Sequence, residues 1–239
     1  MKLSIIIVHF NTPQLLYGLL ESIYKYVKAI DFEVIVIDNN SIKNPVPQKL
    51  KSYKHLIYIE NRVNYGFAKA NNQAVEKASG EWLFFLNSDT YFTQDCMQEL
   101  VSYAKANQKI GILAPALINV NNTIQEYGSV LGRKMFRADM PIKTSFLSGA
   151  AMLMKRDLFL KAGGFDSNYF FYNEDLDLCT TITRLGYDLV YYPKARIVHL
   201  GGKSTIKSWR LQKQALRSSF YFLFKHYVKP FFTRLTKKN

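Results

Sequence analysis

Residues 3–8 form an apolar run that does not alternate, and this property constrains the fold most. A strand with one wet face alternates apolar and polar residues, whereas a continuous run belongs to a strand covered on both faces, as in a parallel sheet sandwiched by helices. Runs of the same kind occur at residues 32–37, 55–59 and 82–86. Between the first two, Thr12-Pro13 offers a helix cap with proline at the first helical position, and Leu15, Leu16, Leu19, Leu20, Ile23 and Val27 recur at helical spacing. Asn64-Tyr65-Gly66 reads as a turn, after which Phe67, Ala70, Ala74 and Ala78 make a small-residue helical face that Gly80 ends. The order strand, helix, strand, strand, helix, strand predicts an α/β fold with a Rossmann-like, mostly parallel central sheet. Right-handed crossovers then open a crevice at the carboxyl ends of the strands.

Further on, the pattern predicts a helix capped by Thr93 with Asp95 in its first turn and a strand at 112–118. A polar stretch follows at 121–132, and the topology of residues 110–146 stays open. Then come a strand at 149–154, a helical turn at 156–162 ended by Gly163-Gly164, a helix at 174–185, and two strands at 188–192 and 196–200. Residues 1–202 read as one catalytic-sized domain and 203–239 as a tail. The net charge of +14 suggests a nucleic-acid protein until its distribution is considered. Ten of the 32 Lys and Arg residues lie between Lys203 and Asn239 with no Asp or Glu, which leaves only +4 on the body. In the tail, Trp209, Leu216, Phe220, Leu223, Phe224 and Tyr227 fall on one helical face among basic residues until Pro230. Such a helix suits an anionic membrane surface, or equally docking on the body with its basic face solvated. Two cysteines, Cys96 and Cys179, without C-x-x-C spacing fit a reducing cytoplasm, and the apolar run near the N-terminus is too short for an export signal.

Acidic residues stand just beyond the apolar runs. Asp38 follows the second strand, where a carboxylate can accept the N3 hydrogen of a pyrimidine base or close an Asx-turn. Asn87-Ser88-Asp89 ends the fourth strand, where Asp89 offers a hard oxygen to a divalent cation bridging phosphates, or serves as a turn acid. Glu174, Asp175 and Asp177 open a helix, which its dipole alone would favour, yet the preceding Tyr169-Phe-Phe-Tyr172 suits a sugar-binding floor beside a general base. His199, followed by Gly201-Gly202, is a further candidate ligand or a structural histidine.

In order, Ser4-Ile-Ile-Ile-Val-His-Phe-Asn11, Val36-Ile-Asp-Asn-Asn-Ser41, Asn64-Tyr-Gly-Phe-Ala-Lys-Ala-Asn-Asn72, Phe85-Leu-Asn-Ser-Asp89, Ser148-Gly-Ala150, Gly163-Gly-Phe-Asp166, Asn173-Glu-Asp-Leu-Asp177 and Val198-His-Leu-Gly-Gly202 resemble the family 2 glycosyltransferases of GT-A fold, in particular the bacterial rhamnosyltransferase-like subgroup. The resemblance implies an inverting transfer from a nucleotide-diphosphate sugar, dTDP-rhamnose or a UDP-sugar, to a glycan or lipid-linked acceptor, with Mn2+ or Mg2+ as cofactor. It implies that Phe10, Asn11, Asp38, Asn64, Gly66, Asn87 and Ser88 contact the nucleotide sugar and that Asp89 and His199 hold the metal. Asp175 is then the catalytic base, with Gly149 and Glu174 on the acceptor side. The enzyme would work in the cytoplasm or on the inner face of the membrane and bind no nucleic acid. The sequence departs from the family at Asn87, the first position of the D-x-D-like motif, and at Cys179-Thr180-Thr181, where relatives often place an arginine near the diphosphate. Lys69 and Lys203 are substitute cations.

Two other readings compete. A basic membrane- or nucleic-acid-binding module on a silent α/β scaffold would explain the tail. A dinucleotide-dependent oxidoreductase is disfavoured because His9-Phe10-Asn11-Thr12 stands where a G-x-G-x-x-G loop would follow the first strand.

Overall fold

A computed structural model describes residues 2–42, 50, 52–125, 139–201 and 209–230. Strands β1 (Lys2–His9), β2 (Asp31–Asp38), β3 (Leu56–Glu60) and β4 (Trp82–Asn87) pair in the order β3-β2-β1-β4, all parallel. Helices α1 (Pro13–Tyr26) and α2 (Gly66–Lys77) make the crossovers. The non-alternating runs have the expected cause: in β1, Leu3, Ile5 and Ile7 enter one core with α1, while Ile6 enters a second core with Ala68, Ala70 and Ala74 of α2. Pro13 opens α1 as the sequence predicts, but Thr12 makes no side-chain cap bond. Its hydroxyl instead meets His9 Nδ1 and Ser88 Oγ, both at 3.2 Å.

The second half reverses direction. After the short β5 (Thr90–Tyr91), α3 (Met97–Ala106) leads to β6 (Ile110–Ile118), followed by β7 (Ile142–Thr144), β8 (Ala151–Lys155), α4 (Arg156–Lys161), α5 (Glu174–Arg184) and β9 (Asp188–His199). β8 lies antiparallel between β4 and β6, β9 runs parallel to β6, and β5 and β7 pair antiparallel with β9. The segment whose topology the sequence leaves open therefore contributes β6 between β8 and β9, and β7 against β9.

Two sequence expectations need correction. The strands expected at 188–192 and 196–200 are one strand, β9, whose register to β6 jumps so that Pro115 faces Tyr192 and Ala116 faces Arg196. Pro115 and Pro193 flank the jump, and a residue without an N–H interrupts the ladder without ending the strand. The third helix starts at Met97, so Thr93 does not cap it, and Asp95 precedes the helix, accepting the Met97 N–H at 3.1 Å. The loop expected at residues 44–47, Gly202, Lys203 and much of the polar stretch from 126 on lie outside the described residues.

At the far end of the sheet from the crevice, Glu33 is buried and ties β1 to β2 and to the chain entering β4. Burial pushes its pKa up, but hydrogen bonds from Ser4, the Ser79 backbone, Lys2 and the Ser79 hydroxyl overcome this and hold it at about 2. A carboxyl depressed in the folded state stabilises above its ordinary pKa of about 4.5, and the contribution fades as pH falls toward 2. Glu33→Gln is expected to lower stability at pH 7 by about 1–2 kcal/mol and to flatten the acid limb of a Tm-versus-pH curve. An unchanged acid limb would refute the assignment.

Candidate active site

Parallel pairing brings the ends of β2, β1 and β4 side by side: His9 is level with Asp38, and Val8 with Asn87. Asp38 is buried, with Oδ1 accepting the Ser41 N–H at 2.8 Å and Oδ2 accepting the Tyr58 hydroxyl at 2.7 Å. The Asx-type turn is thus present, and each carboxylate oxygen still keeps a second lone pair. Asn11, at φ 56°, bridges the loops after β1 and β2. Its N–H reaches Ser41 Oγ and its Oδ1 accepts the Ile42 N–H. Phe10 is exposed and Ser88 buried.

Asn64 and Gly66 have internal roles. The Asn64 side chain accepts from Asn39 Nδ2 and from the Gly66 N–H, and Gly66 C=O accepts a second Asn39 hydrogen. Asn39 Oδ1 in turn accepts from Asn61 and the Tyr65 N–H. Gly66 sits at φ 80°, where a Cβ would come 2.4 Å from Phe170 O, so only glycine lets α2 start against the loop ahead of α5.

The β5–β9 pair places Thr90 level with His199, and the Leu200 N–H bonds Asp89 O. Asp89 is buried, and its Oδ1 has no hydrogen-bond partner among the described residues. His199 Nε2 lies 3.3 Å from that oxygen. An orphaned buried carboxylate oxygen is costly unless something of opposite charge comes to it. Two ligands of one cation, at about 2.1 Å each and at right angles, stand about 3 Å apart, close to the observed spacing. No third His, Cys, Asp or Glu joins them among the described residues, so these two side chains are the donors the protein could offer a divalent ion.

The β4–β8 reversal brings a second set of groups to the same end of the sheet. Asn87 N–H bonds Ala150 O, and Gly149 N–H donates to Asp175 Oδ2 at 3.1 Å, so α5 is fastened to the loop beside the β4 end. Asp175 is partly exposed, whereas Glu174 is buried with Oε2 unpartnered among the described residues. Burial, then the Asp175 charge, pushes the Glu174 carboxyl up to about 8. Burial raises Asp175 as well, and the Gly149 and Leu176 N–H groups offset this only in part. The adjacent acids differ in access and in hydrogen bonding: Glu174 is buried with an unpartnered oxygen, whereas Asp175 is the more accessible and the one whose charged form backbone N–H groups favour.

A family model described as "Glycosyl transferase family 2" matches residues 4–163. The chain belongs to that family. It is 27% identical over 219 residues to the O-antigen biosynthesis protein RfbC of Myxococcus xanthus, covering 83% of this chain and 17% of that protein. It is 23% identical over 209 residues to the N-acetylglucosaminyl-diphospho-decaprenol L-rhamnosyltransferase of Mycobacterium tuberculosis, covering 72% of this chain and 67% of that protein. The fold matches GalNAc-T7, solved with UDP, GalNAc and Mn2+, at a TM-score of 0.68 and 17% identity, covering 83% of this chain and 43% of that one. The architecture is accordingly the GT-A fold of glycosyltransferases, and the subgroup resembled is the bacterial rhamnosyltransferase-like one.

For a family 2 glycosyltransferase, other polar residues near the crevice have structural tasks. Arg184 donates to His226 Nδ1 and His226 O in the tail helix, so it serves docking, and Lys69 lies over the Tyr65 ring at 4.2 Å. Of the aromatic stretch, Tyr169 is fully buried with its hydroxyl on Asp177, whereas Phe170 and Tyr172 are exposed. Asp177 is turned away from Asp175 and binds Lys225 and His226 of the tail. Sequence reasoning missed Tyr58, Asn39 and Gln125. Asn39 adjoins Asp38 in the same motif, but Tyr58 and Gln125 carry no local signal because their partners are distant in the chain.

The Glu174 shift has a measurable consequence. A carboxyl raised from 4.5 to about 8 on folding binds more protons than the unfolded chain between those values, so stability falls as pH rises through that window. Glu174→Gln is expected to remove that fall and to keep turnover at pH 7 within about tenfold, as measured by Tm and rate from pH 5 to 9. Loss of activity as severe as that of an Asp175 variant would reverse the assignment.

Proposed function

We propose that this chain moves a sugar, with inversion, from a nucleotide-diphosphate donor to a hydroxyl of a glycan or lipid-linked acceptor in bacterial surface polysaccharide synthesis. The donor sugar is rhamnose on dTDP or a hexose on UDP. The observation that carries this reading is the accessible Asp175 carboxyl, held by Gly149 beside the strand ends that bear Asn87, Asp89 and, across β9, His199. Inversion needs one direct displacement, for which a single accessible carboxylate suffices. Asp175 accepts the acceptor proton, and Phe170 and Tyr172 offer it an apolar floor. On the donor side, Asp38 receives the base hydrogen, Phe10 and Asn11 line the base and ribose, and Asn87 and Ser88 face the diphosphate. Asn64 and Gly66 shape the same loop from behind. Asp89 Oδ1 and His199 Nε2 would hold Mn2+ or Mg2+, and the ion when bound neutralises charge on the departing diphosphate. The RfbC and rhamnosyltransferase relatives favour a surface-glycan substrate over other sugar chemistry.

The tail adds a location. Helix α6 (Trp209–Leu223), continued by a π-helical turn at Phe224–Val228, docks through Ser218, Tyr221, Lys225 and His226. Trp209, Leu216, Phe220, Leu223, Phe224 and Tyr227 face away from the body, Trp209 at 70% and Phe220 at 65% exposure. No described helix is long and apolar enough to cross a membrane. An outward aromatic face beside Lys213 and Arg217 instead suits lying on an anionic cytoplasmic leaflet, where a lipid-linked acceptor is presented.

Two measurements test these points. Asp175→Asn is expected to lower transfer about 10²- to 10⁴-fold while calorimetric binding of UDP-, dTDP- or GDP-sugars with Mn2+ or Mg2+ persists. Near-normal turnover would remove Asp175 as base. Co-sedimentation with phosphatidylglycerol vesicles should exceed that with phosphatidylcholine and fall in a Trp209→Ser, Phe220→Ser variant. Equal binding by both would remove the membrane assignment.

A further inference from the structure

We propose that Gln125 is a positioning residue that fixes the tautomer of His199 and aims its Nε2 lone pair at the site beside Asp89. The inference rests on the metal-assisted reading above and adds to it a residue that touches neither donor nor ion.

The chain leaving β6 folds back on itself. Asn119 N–H bonds Thr123 O, Gln125 N–H bonds Leu117 O, and Ile124 bridges Ile118. This hairpin carries the Gln125 side chain to the end of β9. There one terminal atom of its amide faces the backbone carbonyl of His199 and Asn119 Oδ1, the latter at 2.9 Å. A backbone carbonyl can only accept, so that terminal atom is the amide nitrogen. The other is therefore Oε1, and it lies 2.8 Å from His199 Nδ1. Oε1 also can only accept. His199 Nδ1 must carry the hydrogen, and in the neutral ring Nε2 is left with a lone pair, the form needed to ligate a metal. Asn119 is itself oriented: the Thr123 hydroxyl gives its hydrogen to Asn121 Oδ1 at 2.6 Å, so at 2.9 Å from Asn119 it can only accept from Nδ2, and Asn119 Oδ1 is the atom that receives Gln125. The relay runs from a hairpin of ordinary polar residues to one ring nitrogen, 3.3 Å from an orphaned carboxylate oxygen.

The test uses the full chain labelled with 15N-histidine at a pH where imidazole is neutral. In metal-free protein the His199 resonances, assigned by their loss in His199→Gln, should report Nδ1–H in the wild type. Gln125→Leu, which offers no acceptor, should yield a mixture or the Nε2–H form and weaken Mn2+ binding in the presence of UDP, read by electron paramagnetic resonance, about 10- to 100-fold. Gln125→Glu keeps an acceptor oxygen and should retain Nδ1–H. A wild-type-like tautomer and Mn2+ affinity in Gln125→Leu would overturn the proposal, as would an Nε2–H tautomer in the wild type. If Mn2+ binding is indifferent to Asp89→Asn, the metal site itself is wrong. The tautomer readout, made without metal, still decides the role of Gln125.

Discussion

The bond from Gly149 N–H to Asp175 Oδ2 fastens α5 to the loop before β8, the strand through which the mixed half of the sheet pairs with the parallel half. The parallel half ends its strands at the crevice and supplies Asp38, Asn87 and Asp89. The mixed half enters through β8, which runs antiparallel to β4 and so delivers the loop before it to the same end of the sheet. Had β8 been parallel to β4, that loop would lie at the opposite edge, and α5 would have no route to the crevice. The same bond favours the charged form of Asp175 against the burial that raises its pKa, so one main-chain donor both places this carboxyl and opposes its protonation.

Around this point the protein binds its loops with neutral amides. Asn39, Asn61, Asn64 and Gln73 form a connected set between the ends of β2 and β3 and the start of α2, and Asn72 clasps Phe165 on both backbone sides. An amide offers donors and an acceptor at once, so such a set satisfies buried backbone groups without adding charge. The carboxyl groups left in the crevice are then those of Asp38, Asp89 and Asp175, with no lysine or arginine among the described residues pairing with any of them. A doubly charged diphosphate would meet a site of its own sign, and that electrostatic deficit is the physical argument for a cation between Asp89 and the donor.

How much of this was legible in the sequence depends on how local the cause is. The strands β1, β2 and β4 follow from side-chain polarity over six residues, and their carboxyl ends announced Asp38 and Asp89 directly. The unity of β9 was not legible, because Pro193 reads locally as a terminator. Only the partner strand, with Pro115 at the matching position, shows that the ladder resumes. The start of α3 was misplaced because Thr93 and Asp95 both look like caps, and only Asp95 bonds a backbone N–H of the first turn. Gln125 and Tyr58 act through contacts far apart in the chain, for which no local spacing exists. Asp177 was visible as a third acid but not as an anchor, since its partners Lys225 and His226 lie in the tail.

That anchor explains an inversion in the tail helix. Amphipathic helices usually bury their apolar stripe, yet α6 buries Ser218 beside Phe222 and leaves Leu216, Phe220 and Leu223 outside. The body offers buried acids there, and Lys225 reaches Asp166 and Asp177 at 2.7 and 2.8 Å. His226 joins them in a set tautomer: Arg184 can only donate to Nδ1, so Nε2 carries the hydrogen given to Asp177. The docked helix also steadies the loop before α5, where Tyr172 and Asn173 both hold φ 68°, a strain of roughly 1–3 kcal/mol apiece. Ser218 bonds Phe171 O and Ser219 bonds Asn173 Nδ2. The residues immediately before Asp175 are thus held from outside by a helix whose free face is apolar. Whatever that face rests on is mechanically continuous with the loop that carries Phe170 and Tyr172 just ahead of Asp175.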